Sequence, residues 1–133
     1  MPFSHPVAVR YLEVDAQGVV FNMWYLAYLD DAMTGFLGAG GLPYAEMAAN
    51  GYDVQLVHTE LDWKGAAGFG DALAVDVVIK AIGRTSFTLG FTVRRDETVL
   101  VTASTVYVCV GTDGGGSRPI TIPLRTALEA AAG

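Results

Sequence analysis

The chain predicts an α+β fold, a curved antiparallel sheet wrapped around one long central helix. Three observations carry this prediction. One segment, beginning at Asn22, repeats its apolar residues at helical spacing. The segments after it alternate with a period of two, as half-buried strands do, and the connections between them are short. A lone amphipathic helix must bury its stripe against a sheet, and the sheet hides its own apolar face by curving around that helix.

Taken in order, residues 7–14 (VAVRYLEV) are rich in β-branched and aromatic types and predict the first strand. Tyr25, Tyr28, Leu29, Ala32, Met33 and Phe36 then follow one helical face, with Asp30, Asp31 and Thr34 on the other. The glycines of GAGG, 38–41, supply the helix end, and LPYAEMAANG adds a short helical turn. YDVQLVHTELDW, 52–63, is a strand. Leu73, Val75, Val77 and Ile79 share one strand face; Phe87, Leu89, Phe91 and Val93 share another, opposite Ser86, Thr88, Thr92 and Arg94. DETVLVTASTVYVCVG, 96–111, predicts a long strand whose later half is apolar on both sides, the pattern of a strand covered on both faces. GTDGGGSRP, 111–119, is a surface turn; without a Lys-Ser/Thr pair after its glycines it is not a phosphate loop. In PLRTALEAAAG, 123–133, proline opens a terminal helix.

The 133 residues suit one domain, 1–133, with no second core. Charged residues make up only 17% against about 25% in average soluble domains. That shortage suggests a face hidden by another subunit. A net charge of −6 argues against nonspecific nucleic-acid binding, which needs lysine and arginine to neutralise phosphates. No apolar run reaches the length of a membrane span, and MPFSHPVAVR lacks the basic segment and long apolar core of a secretory signal, so a cytoplasmic location is expected. Cys109, the only cysteine, lies in an apolar run and is expected to be a buried thiol. His58, Glu60 and Asp62 alternate along one strand face, which reads as an ordinary polar face; no metal and no cofactor is expected. No G-x-S-x-G elbow is present.

DAQG, 15–18, has the composition of a type I turn, and a lone D-x-x-G usually means that the aspartate caps the turn. The residues beyond the turn add chemistry. Asn22 is placed to cap the helix, whose first turn holds N–H groups without intrahelical partners. Such donors favour a carbonyl oxygen gaining negative charge, and a carboxylate on the preceding loop could face the carbon of that carbonyl. Acid and donors together describe acyl transfer.

RYLEVDAQGVVFNMWYLAYLDDA resembles the signature of the hotdog-fold acyl-CoA thioesterases, specifically the 4-hydroxybenzoyl-CoA thioesterase family and its YbgC-like relatives, at Arg10, Tyr11, Glu13, Asp15, Gly18, Val19, Tyr25 and Tyr28. The resemblance continues through FLGAGGLP, FGDAL (69–73) and KAIGRTSF (80–87). It implies hydrolysis of an acyl thioester of CoA or of an acyl carrier protein, with Asp15 as nucleophile or general base and the Asn22 peptide N–H polarising the carbonyl. Gly18 lets the loop turn tightly beside the substrate, and Val19 belongs to the same stretch. Tyr11 and Tyr25 line the acyl pocket, orient the acid, or serve as core aromatics. Arg84, Thr85 and Ser86 match the region that meets the CoA phosphates, and Arg suits phosphate. The family builds its sites where subunits meet, so a homodimer or homotetramer is expected, with His58 entering the pocket from a neighbour. Family members carry His or Tyr seven residues after the aspartate; Asn22 preserves a main-chain donor and removes a side-chain proton shuttle. Two rivals share the fold: a binding protein holding an acyl or aromatic ligand without turnover, and a dehydratase or isomerase acting on an acyl thioester. The second is weakened because His5 and His58 both lie outside the strand-loop-helix segment.

Overall fold

A computed structural model describes residues 3–132. Its strands are β1 (Phe3–Ala8), β2 (Tyr52–Trp63), β3 (Ala72–Ile82), β4 (Ser86–Arg95) and β5 (Thr98–Gly111), and its helices are α1 (Trp24–Ala39), α2 (Tyr44–Ala49) and α3 (Ile122–Ala132). All strand pairs are antiparallel, in the order β1-β3-β4-β5-β2, so β1 and β2 form the two edges. This is the hotdog architecture, with α1 lying in the curve of the sheet.

The apolar stripe of α1 is the one its spacing predicts: Tyr25, Tyr28, Leu29, Ala32, Met33 and Phe36 are all buried. They meet the inward residues of the sheet, among them Val75, Val77, Phe87, Leu89, Phe91 and Val93. Burying a side chain such as Phe36 stabilises by roughly 1.5–3 kcal/mol, and α1 has several of them. α3 closes the open side of α1 through Leu124, Ala127 and Leu128. The approach is close at Gly40, where any Cβ would collide with the Ala127 carbonyl oxygen. Gly41, at φ +97°, then turns the chain out of the helix as the glycine run predicts.

Four expectations are corrected. The first strand is Phe3–Ala8 rather than 7–14; Tyr11–Glu13 is a 3₁₀ turn, and only Val14 returns to pairing, as a bridge to Val20. Pro6 is tolerated because β1 is an edge strand, and the chain leaves the sheet because Arg10 and Glu13 bond to each other across the turn. Asn22 is not the N-cap: Trp24 N–H already donates to Phe21 O at 2.9 Å, so a turn precedes the helix and Met23 takes the cap position. β5 is buried on its inner face only, since Val106, Val108 and Val110 stay half-exposed and nothing among the described residues covers the outer face of β5. In α3 the cap is Thr121, whose Oγ1 accepts from Leu124 N–H at 3.2 Å, and Pro123 lies within the first turn. Gly133, the last residue of the predicted helix, is outside the described residues. No helix among the described residues is long and apolar enough to cross a membrane.

Candidate active site

The turn carrying Asp15 is built from both sides. At the exit of β1, Val9 N–H donates to Asp71 O and Gly70 N–H returns to Val9 O, fixing the chain to the β2–β3 connection. Asp15 N–H donates to Val19 O, and Gly18 N–H to Asp15 O, each at 2.9 Å, closing a tight turn. Gly18 sits at φ +79°, a conformation that side chains with a Cβ rarely adopt, so glycine is required there. Asp15 Oδ1 accepts from Gln17 N–H at 2.8 Å; Oδ2 has no donor among the described residues. The turn-capping role and a free carboxylate oxygen therefore coexist on one side chain.

Asp15 and Gly18 line a cleft of about 580 Å³ with Tyr11, Leu12, Val14 and Phe69. Tyr11 and Phe69 meet edge to face, 5.7 Å between centroids, and both are largely exposed. Phe21 and Met23, also exposed, extend the apolar surface toward the start of α1. There the N–H of Phe21 is taken by Glu13 O, while those of Asn22 and Met23 have no backbone partner among the described residues. Asn22 itself does not line the Asp15 cleft.

Val19 is half-buried and bridges Gly68. Tyr25, of the alternatives open to it, has the geometry of a buried core tyrosine: it is 1% exposed, and its Oη accepts from Ala67 N–H at 3.2 Å. Ala67 O in turn accepts from Val20 N–H. Behind this segment Asp71 accepts from Gly68 N–H and from Arg95, both at 2.8 Å; these bonds hold its carboxyl below the ordinary range.

Composition and spacing gave no role to Glu13, which is 3% exposed. Burial opposes its charge, but bonds from Arg10 and Tyr28 outweigh that and leave its pKa lowered. Burial and this carboxylate both raise the Tyr28 pKa, so the hydroxyl remains a donor. The signal present in the sequence was the Arg10-to-Glu13 spacing; what it lacked was Tyr28, brought in by α1. Asp31 and Asp30, on the polar face of α1, are exposed and also have partners, His5 and the Tyr107 hydroxyl.

His58 and the Arg84 turn lie elsewhere. His58 is exposed on β2, 3.2 Å from Glu60. Arg84 and Thr85 lie in the β3–β4 turn and Ser86 opens β4, all separated from the Asp15 end by the eleven residues of β3, roughly 35 Å of strand. That turn is tied to its surroundings by Ile120 N–H to Arg84 O, Cys109 N–H to Thr85 O and Gly83 N–H to Ser86 O. Arg125 donates to Gly83 O at 2.9 Å, and Arg118 lies over the Tyr52 ring nearby. Among the described residues Arg10, Arg94 and Arg95 pair with acids, whereas Arg84, Arg118 and Arg125 do not.

Residues 9–130 match the family model described as the thioesterase-like superfamily, nearly the whole chain. This chain belongs to the thioesterase-like superfamily. Similar members include a 1,4-dihydroxy-2-naphthoyl-CoA hydrolase of Synechococcus elongatus, 25% identical over 91% of this chain and 90% of that one. The acyl-CoA thioesterase YbgC of Haemophilus influenzae is 27% identical over 91% of this chain and 88% of its own. A crystal structure of an Aquifex aeolicus protein superposes with a TM-score of 0.90 at 27% identity, covering 96% of this chain and 99% of that one. The thioesterase-like chain is thus a thioester hydrolase by class, with the fold its sequence predicts.

Proposed function

We propose that this thioesterase-like protein hydrolyses the thioester of an acyl-CoA at the Asp15 cleft. The observation that carries the reading is the divided use of the Asp15 carboxylate, one oxygen held by the turn and the other without a protein donor in an apolar cleft. In one route Oδ2 attacks the carbonyl carbon and expels the thiolate, and water then cleaves the acyl anhydride. In the other it takes a proton from water, which attacks instead. Both routes place negative charge on the carbonyl oxygen, for which the open N–H groups of Asn22 and Met23 at the start of α1 serve as donors in this reading.

The thiol carrier is read from the far end of the sheet. Arg84, Arg118 and Arg125, without acidic partners among the described residues, stand together there. Three guanidinium groups without acidic partners suit the several phosphates of a CoA nucleotide better than the single phosphodiester of a carrier-bound pantetheine. They act on a neighbouring subunit in this reading. β2 is an edge strand of twelve residues with Leu56, Val57 and Trp63 exposed, and two such edges can pair antiparallel about a twofold axis. That pairing sets the C-terminal end of one β2, beside its Asp15 loop, against the N-terminal end of the other, beside its Arg84 turn. His58, near the middle of β2, then falls by the axis. The half-exposed valines on the outer face of β5 offer a second contact through which dimers become tetramers.

Release of free thiol from a panel of acyl-CoAs tests the proposal. Turnover that falls by about two to four orders of magnitude in Asp15→Asn is the expected result. Thiol release from no panel member, or full turnover in the variant, overturns it.

A further inference from the structure

We infer that Glu13 is a positioning residue whose buried carboxylate sets the distance between the Asp15 turn and the open N–H groups of α1. The inference rests on the proposed role of Asp15. Glu13 is the one buried charged side chain among the described residues. Its Oε1 accepts from Arg10 N–H at 2.9 Å and from Tyr28 Oη at 2.7 Å; its Oε2 accepts from Arg10 Nε and Nη2, each at 2.7 Å. Four donors compensate a carboxylate removed from water.

The main chain of the same residue does the rest. Glu13 N–H donates to Arg10 O at 3.0 Å, and Glu13 O accepts from Phe21 N–H at 2.9 Å. One residue therefore ties together three segments: the exit of β1 at Arg10, the returning side of the Asp15 loop at Phe21, and the second turn of α1 at Tyr28. Asp15 follows Glu13 by two residues, and Asn22 follows Phe21 by one. The attacking group and the oxyanion donors are thus referred to a single anchor. The Arg10 guanidinium, 6.0 Å from the centroid of the Trp24 ring, holds the anchor against the first turn of α1.

Stability alone does not account for this arrangement. Replacing a buried charge together with its partners by apolar side chains of similar volume is often neutral or stabilising. An apolar side chain would, however, leave Tyr28 and Arg10 with no common acceptor, and the loop free to shift against the helix. A misplacement of about 1 Å at a reacting group costs on the order of a hundredfold in rate.

The test compares wild type, Glu13→Leu and Tyr28→Phe by steady-state thiol release and by residue-resolved amide hydrogen exchange at Phe21. Glu13→Leu is expected to remain folded by circular dichroism, to lose on the order of a hundredfold in kcat with KM within about twofold, and to exchange the Phe21 amide at least about tenfold faster. Tyr28→Phe, which removes one strut and keeps the Arg10 pair, is expected to lose about threefold to tenfold in kcat. A folded Glu13→Leu with unchanged kcat and unchanged Phe21 exchange overturns the inference. Should Glu13→Leu fail to fold, Tyr28→Phe decides: unchanged kcat and exchange overturn the inference, and the stated loss supports it. The exchange measurement needs no substrate, so it tests the anchor even if no acyl-CoA is turned over. Loss of turnover in Asp15→Asn but not in either anchor variant overturns the anchor and leaves the proposed reaction standing.

Discussion

The two ends of the sheet handle charge in opposite ways. At the Asp15 end the arginines are committed: Arg10 to Glu13 and Arg95 to Asp71, each bond holding a loop in place. At the Arg84 end three arginines have no acidic partner among the described residues, and the adjoining loop carries Gly114 and Gly116 at positive φ. One end uses its ion pairs to fix geometry, which bond-breaking chemistry needs. The other leaves its cations without acidic partners, which suits recognition of an external anion.

Substitutions can separate the two ends. The largest expected effect is at the chemical end, where Asp15→Asn lowers kcat by about two to four orders of magnitude with the fold retained, measured by thiol release and circular dichroism. At the recognition end, Arg84→Ala and Arg118→Ala are each expected to raise KM for an acyl-CoA by about tenfold and leave kcat nearly unchanged, since charge-assisted bonds common to ground and transition states are lost. The same variants should leave KM for the matching acyl-pantetheine, which lacks the nucleotide, unaltered. A fall in kcat rather than a rise in KM would erase the contrast between the ends.

Acid provides a milder probe. Bonds from Gly68 and Arg95 depress the Asp71 pKa, that from Arg94 depresses Asp76, and Glu13 is lowered despite its burial. A carboxyl with a depressed folded pKa contributes stability that is present above its unfolded value and is lost as pH falls through the folded one. Melting temperature should therefore hold from neutrality to just above the ordinary carboxylate range near pH 4 and decline below it. The smallest expected effect is that of Arg95→Ala, which breaks a partly exposed pair and should cost about 0–1 kcal/mol in denaturant unfolding while reducing the acid-side decline.

How much of this was legible in the chain depended on distance along it. The stripe of α1 and the faces of β3 and β4 were readable because periodicity is local and the core enforces it. The Asp15–Gly18 turn was readable for the same reason, its bonds spanning only a few residues. The boundary of β1 was not, because an edge strand tolerates Pro6 and Val7 while the next aromatic residues belong to a turn closed by side chains. Glu13 looked like one more polar residue, since its partner Tyr28 lies fifteen positions away. The separation of Arg84 from Asp15 was hidden for the converse reason: a motif records which residues occur, and the intervening strand sets how far apart they end up.

The seat of α3 on α1 has a consequence for synthesis. α1 emerges early, after β1 alone, yet β2 to β5 and the helix that meets Gly40 at Ala127 all come later in the chain. Until β3, β4 and α3 emerge, the apolar stripe of α1 lacks most of its partners, and α3 is the element that closes its open side. Chaperone demand should therefore persist until α3 has emerged.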